Sequence, residues 1–98
     1  MDTNKKFYTE EEVLDEFEAK LQQEVRDYEI GEAIRQTRKK QGLTQEQLGE
    51  RMGVKKAQIS RLESGKSITY DSIRRVFQAL GSKSAWIDLG DLGRVALW

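Results

Sequence analysis

Two adjacent lysines, Lys55 and Lys56, stand at the head of a short segment with helical spacing, about Lys55 to Ser64, and Gln58, Arg61 and Lys66 follow them. A helix start favours Ser, Thr or Asp, and a cation there costs on the order of 0.3–1 kcal/mol at an exposed site. The same ammonium groups beside phosphates release counterions and gain binding free energy. A local rule broken where a compensating use exists marks a functional position. Taken alone, two exposed lysines fit that reading and a merely solvated surface equally well. The other dense cluster is Glu10, Glu11, Glu12, Asp15, Glu16 and Glu18. The chain has no His and no Cys, which removes nucleophilic dyads, disulfides and the common zinc sets. Those carboxylates therefore read as a solvated helix face, with a weak divalent-ion site as the lesser alternative. Gly90-Asp91-Leu92-Gly93 lacks the lysine and helix of a phosphate loop. Trp86 and Trp98 could stack on bases, but at strand positions in so small a chain they fit core or dimer interface better. No catalytic residue, metal or cofactor is expected; the chain is not expected to be an enzyme.

Charge is the second guide. Lys plus Arg equals Asp plus Glu, 17 each, so the net charge is zero, which by itself argues against a polyanionic partner. Its distribution argues the other way. Residues 1–30 carry a net of −6, residues 31–84 a net of +7, and the last fourteen a net of −1. Such asymmetry separates a basic module from an acidic appendage. Solvated faces explain the acidic part well, but not the shortage of acids in the basic part. The absence of a signal segment, and a longest apolar run of four residues, Val95 to Trp98, point to a cytoplasmic protein outside any membrane.

The elements that must position these residues follow from caps and spacing. Ninety-eight residues suit a single domain. Met1 to Lys6 is a polar stretch expected to be disordered. Thr9 with Glu12 forms a capping box, Tyr8 with Val13 has the spacing of a hydrophobic staple, and Glu10 to Glu12 suit the positive end of a helix dipole. Leu14, Phe17, Leu21 and Tyr28, flanked by Val13 and Val25, make an apolar stripe that needs a cover. Gly31 can loosen the junction with a second helix, roughly Glu32 to Gln41, without proving a break, and Gly42 ends that helix. Thr44 with Gln47 caps the next helix, which runs to Met52 and stops at Gly53. After the Lys55–Ser64 segment and Gly65, Thr69 caps a last helix, Tyr70 to Leu80, ended by Gly81. Ala85 to Leu89 and Arg94 to Trp98 read as strands of a hairpin around Gly90–Gly93. A lone hairpin is marginal in water, so it must pack on the helices or pair with a second copy.

The stretch LTQEQLGERMGVKKAQISRLESGKS, Leu43 to Ser67, has two short helices joined by Met52-Gly53-Val54, with Leu48, Ile59 and Leu62 facing inward. This is helix-turn-helix spacing, and its second helix can lie in a major groove. LTQEQLGERMGV, ISRLESGK and the later helix ending in ALG resemble the lambda-repressor-like, or XRE, helix-turn-helix domain over about Ile30 to Gly81. The resemblance implies a mainly α fold: a four- or five-helix lambda-repressor-like bundle, here with an extra N-terminal amphipathic helix and a short C-terminal β hairpin or strand pair. It implies sequence-specific binding of double-stranded DNA, with Lys56, Ala57 and Arg61 at base edges. Thr44, Gln45, Lys55, Gln58 and Lys66 would hold phosphates, and Arg38 with Glu63 would form a structural ion pair. Two departures stand out: Lys55 replaces a small hydroxyl cap, and the proline common near Thr69 or Tyr70 is missing.

The whole layout divides into an acidic extension at 1–29, a DNA-binding domain at 30–83 and a β segment at 84–98. It is similar to HigA-type antitoxins, which implies a dimeric repressor that binds its own operator and sequesters a ribonuclease toxin. A stand-alone or phage-type repressor without a toxin is the alternative. A homodimer is expected, its seam either the hairpin (Trp86, Ile87, Leu89, Val95, Leu97, Trp98) or the stripe Leu14, Phe17, Leu21. An unpaired strand edge and two tryptophans favour the hairpin.

Overall fold

The computed structural model describes residues 9–98; the Met1–Lys6 stretch and the Tyr8 half of the staple lie outside the described residues. The order is α1 (Glu10–Lys40), α2 (Gln45–Met52), α3 (Lys56–Glu63), α4 (Tyr70–Ala79), β1 (Trp86–Asp88), a 3₁₀ turn (Gly90–Leu92) and β2 (Arg94–Ala96). The protein is mainly helical with a short antiparallel strand pair, as expected.

The first helix departs from expectation. Instead of one helix ending near Gly31 and another starting at Glu32, α1 is continuous over 31 residues. Thr9 accepts the Glu12 N–H at 3.1 Å, Glu10 to Glu12 fill the first turn, and Arg38, Lys39 and Lys40 fill the last, so both ends match the dipole. A mid-helix glycine costs about 1 kcal/mol relative to alanine, which is too little to break a helix that has no internal proline or competing cap. Gly31 serves packing instead. A Cβ there would sit 2.6 Å from the Leu62 carbonyl oxygen and 2.8 Å from both the Glu63 carbonyl oxygen and the Gly65 nitrogen. The bare glycine lets the end of α3 press directly onto α1. Gly65, at φ +80°, answers it: a Cβ there would come within 2.9 Å of the Tyr28 backbone.

The core is small and drawn from all four helices: Ile34, Leu48, Ile59, Leu62, Val76 and Leu80, with Ile30, Val54, Ile68 and Phe77 among the half-buried residues around it. Ile30, Ile34 and Arg38 share one face of α1 at helical spacing. With no proline at its start, α4 begins on a reciprocal cap, Ser72 N–H to Thr69 Oγ1 at 3.1 Å and Thr69 N–H to Ser72 Oγ at 2.8 Å. Gln41 Nε2 donates to the Leu80 carbonyl at 2.6 Å and ties the ends of α1 and α4 together.

Two parts stand away from this core. Residues 10–26 of α1 are exposed throughout, and the described residues extend 55 Å along their longest axis. Leu14 and Phe17 are 61% and 60% exposed; among the described residues nothing covers the stripe. The hairpin pairs Trp86 with Ala96, Ile87 with Val95 and Asp88 with Arg94. It is tied to α4 by the Tyr70 hydroxyl, which donates to the Leu97 carbonyl at 2.9 Å.

Candidate nucleic-acid interface

The turn between α2 and α3 depends on two glycines. Gly53 ends α2 at φ +70°, a left-handed conformation that costs glycine little. Gly49 allows the chain to fold back: a Cβ there would lie 2.6 Å from the Val54 carbonyl oxygen. The Val54 N–H then donates to the Gly49 carbonyl at 2.9 Å. This geometry delivers Lys55 as the N-cap of α3 in extended conformation, φ −81° and ψ 156°, with no side-chain cap hydrogen bond.

Along α3, Ile59, Leu62 and Glu63 turn inward, whereas Lys56, Ala57, Ser60, Arg61 and Ser64 are exposed. The exposed set makes one solvent face of a two-turn helix. Lys56, Ala57 and Arg61 therefore lie on a common face, with Lys55 at its start and Lys66 exposed just beyond its end. Among the described residues none of Lys55, Lys56, Arg61 and Lys66 takes part in a salt bridge, so their charges are not spent on neighbours. Gln58 is half-buried at the edge of this face. Thr44 caps α2 by accepting the Gln47 N–H at 3.0 Å, while its own N–H donates to Gln47 Oε1 at 2.8 Å.

Beneath the face lies a buried polar network. Arg38 Nε donates to Glu63 Oε2 at 2.6 Å, and Arg38 Nη2 donates to Glu63 Oε1 at 3.0 Å. Arg38 Nη1 reaches the Leu43 carbonyl at 2.7 Å, and Gln45 Nε2 donates to Glu63 Oε1 at 3.1 Å. One carboxylate thus fixes α1, α3 and the start of α2 together. Burial alone would push the Glu63 carboxyl up; hydrogen bonds from Arg38 and Gln45, with the charges of Arg38 and Arg35, outweigh it and hold Glu63 below the usual carboxylate range. The Glu63 hydrogen bond raises Arg38 above its ordinary value, with burial opposing and the Glu63 charge assisting. Gln45, one N–H of which holds Glu63, retains a second amide N–H.

The structure also gathers residues that the sequence left apart. Arg35 and Lys39 of α1 join Ser60 and Ser64 of α3 around a cleft over this network. Their i,i+4 spacings on two helices were visible in the sequence; that the two pairs meet required the Gly31 crossing.

The hairpin residues occupy different settings. Trp86, Ile87, Leu89 and Val95 are exposed, and Leu97 and Trp98 are half-buried. The Arg94 guanidinium lies 5.5 Å from the centre of the Trp86 ring, a cation–π distance. Trp98 Nε1 is buried and has no hydrogen-bond partner among the described residues.

A short helix with an exposed cationic face, set by a tight turn on a second helix and braced by a third, is the arrangement of a helix-turn-helix DNA-binding domain. The helix-turn-helix family HTH_3 matches residues 34–87, more than half of the chain, and the chain belongs to that family of DNA-binding transcriptional regulators. No curated protein matches the chain. Among the described residues no helix is long and apolar enough to cross a membrane, and no group of three metal-binding side chains is found.

Proposed function

We propose that the protein is a sequence-specific repressor that binds its operator as a two-fold dimer and serves as the antitoxin of a type II toxin–antitoxin pair. The exposed, unpaired cationic face of α3 carries the DNA part of this reading. In it Lys56 and Arg61 donate to guanine O6 and N7, and the Ala57 methyl meets a thymine methyl. Thr44, Gln45, Lys55, Gln58 and Lys66 hold phosphates and set register. Lys56→Ala or Arg61→Ala is expected to cost roughly 1–3 kcal/mol on the operator and to relax preference at one or two base pairs, with a much smaller loss on random DNA. Equal losses on both DNAs would make these residues phosphate contacts instead.

Three observations support the dimer and partner assignments. The two-stranded sheet has open edges and exposed Ile87, Leu89 and Val95, and a second hairpin pairing across a two-fold axis would cover both. The buried Trp98 N–H has no partner among the described residues, and such a dimer could supply an acceptor. The α1 arm presents an apolar stripe flanked by acids and uncovered among the described residues, which suits a basic partner better than a second copy of the same acidic arm, since like charges repel. The arm before the domain and the strand pair after it are also the layout that resembles HigA-type antitoxins. Co-expressing the product of the neighbouring gene with a tagged copy of this chain tests the partner. Co-purification, lost on replacing Phe17 and Leu21 with Ser, is expected. A neighbouring gene that encodes no toxin, or a toxin that does not bind, would leave a stand-alone repressor.

A further inference from the structure

The hairpin is fastened to α4 at both ends of that helix. At the C-terminal end the chain leaves through Gly81 to Ser84, where the Ser82 N–H donates to the Phe77 carbonyl at 2.9 Å. At the N-terminal end the hydroxyl of Tyr70, the first residue of α4, donates to the Leu97 carbonyl at 2.9 Å. Among the described residues this is the only hydrogen bond between residues 85–98 and the helices. We infer that Tyr70 is a positioning residue: its hydroxyl fixes the angle between hairpin and reading helix, and so sets the half-site spacing that the dimer accepts. The inference rests on the reading of a dimer joined through its hairpins and adds to it the determinant of operator geometry.

Leverage is the physical reason. A ten-residue helix is about 15 Å long at 1.5 Å per residue. A segment held at one point swings about it, whereas two points that far apart fix an orientation. Packing cannot replace the second point, because β1 and β2 are exposed along their whole length. Only Leu97 and Trp98, at the tied end, are half-buried. The apolar side chains of Ile87, Leu89 and Val95 stay exposed, as a seam with a second copy requires.

On its other side Tyr70 is joined to the reading helix by a short, fully braced turn. The Lys66 N–H donates to the Arg61 carbonyl at 2.9 Å, closing the end of α3. Ser67 follows at φ +58°, a left-handed conformation uncommon for a residue other than glycine. The Ser72 hydroxyl donates to the Ser67 carbonyl at 2.7 Å and so locks that turn onto the start of α4. Thr69 and Ser72 then cap each other beside Tyr70. The path from Arg61 to the Leu97 carbonyl therefore has a hydrogen bond at each turn, and the Tyr70 hydroxyl is its last link.

The test is spacing tolerance, measured with the full-length protein. The probes are a palindromic duplex selected from a random library by the parent, the same duplex with one central base pair added or removed, and a single half-site. One base pair shifts a half-site by about 3.4 Å and turns it by about 34°. Misalignment that forfeits even one base contact should lower parent affinity by about five-fold or more. Tyr70 is exposed and Phe keeps its ring, so Tyr70→Phe should fold, sediment as a dimer and bind the half-site as the parent does. On the selected palindrome it should bind several-fold more weakly, and the changed spacings should cost it less than about two-fold. A spacing penalty equal to the parent's would overturn the role of Tyr70 and leave the DNA and dimer readings standing. Equal losses on half-site and palindrome would overturn it too, by making Tyr70 a support of the reading domain. So would a monomeric variant, which would make the hydroxyl a stabiliser of the seam. A parent without preferred spacing would overturn the dimeric reading as well.

Discussion

Replacing Arg38 by Met keeps most of the side-chain volume and removes the charge. The carboxylate of Glu63, whose side chain is 5% exposed, would keep only the Gln45 hydrogen bond. The Leu43 carbonyl would lose its donor as well. Breaking a buried pair by deleting one partner costs about 3–5 kcal/mol, because the remaining charge is left uncompensated. In a domain of this size each kcal/mol moves Tm by about 4–8 °C, so the expected drop is at least about 12 °C. The pH dependence identifies the cause. In the parent, Glu63 is held below its unfolded value, so its contribution is present above the unfolded pKa and is lost as pH falls through the folded one. In Arg38→Met, burial dominates, Glu63 is raised above its unfolded value, and folding takes up a proton. The deficit against the parent should therefore shrink as pH falls from 7.5 toward the carboxylate range near 4. Urea unfolding followed by circular dichroism across that interval measures it, and adding Glu63→Leu should recover most of the loss at neutral pH. A single variant within 1 kcal/mol of the parent, or a deficit that widens on acidification, would refute the reasoning.

Three further outcomes follow from the same geometry. Gly31→Ala gains helix propensity but drives a Cβ into three backbone atoms of the α3 terminus, so it should destabilise by about 1 kcal/mol or more net; a raised melting temperature would disprove the close crossing. Lys55→Ser supplies the cap that α3 lacks and should stabilise the fold by about 0.5–2 kcal/mol while lowering the salt slope of DNA binding by about one; stability gained with no change in slope would remove Lys55 from the phosphate contacts. Deletion of residues 85–98 should leave a folded helical monomer by sedimentation that binds a palindromic operator weakly, and a truncated chain that still sediments as a dimer would move the seam to the arm stripe.

Local signals carried most of the fold. Each cap signal lies within four residues, and Thr9, Thr44 and Thr69 all cap the helices expected of them; the box is reciprocal at Thr44 and Thr69, whereas at Thr9 only the Glu12 N–H half forms. Glycine stops at Gly53, Gly65 and Gly81 were legible for the same reason. What could not be read was long-range. Gly31 looked like a weak point because its cost is local, while its purpose, contact with Leu62 to Gly65, appears only once α3 has folded back. The cleft was hidden for the same reason: Arg35 and Ser60 are 25 positions apart, and nothing near either one points to the other. The exposed face of α3 was predictable because the inward positions Ile59 and Leu62 leave Lys56, Ala57 and Arg61 on the other side.

Continuity of α1 also answers the objection raised by a net charge of zero. Had the acidic segment folded back on the bundle, its carboxylates would have stood beside the cations of α3 and opposed a polyanion. A straight helix rises about 1.5 Å per residue, so Glu18 lies about 25 Å along the axis from Arg35, and Glu10 to Asp15 farther still. The Debye length at physiological salt is about 8 Å. At roughly three Debye lengths the acidic end of the arm scarcely affects a duplex held by α3. Glu24, Asp27, Glu29 and Glu32 are nearer and do weaken the local field, and Arg35, Lys39 and Lys40 offset them on the following turns. The sequence separates the charges along the chain, and the unbroken helix turns that order into distance, so one small neutral protein can carry an acidic surface at one end and a basic surface at the other.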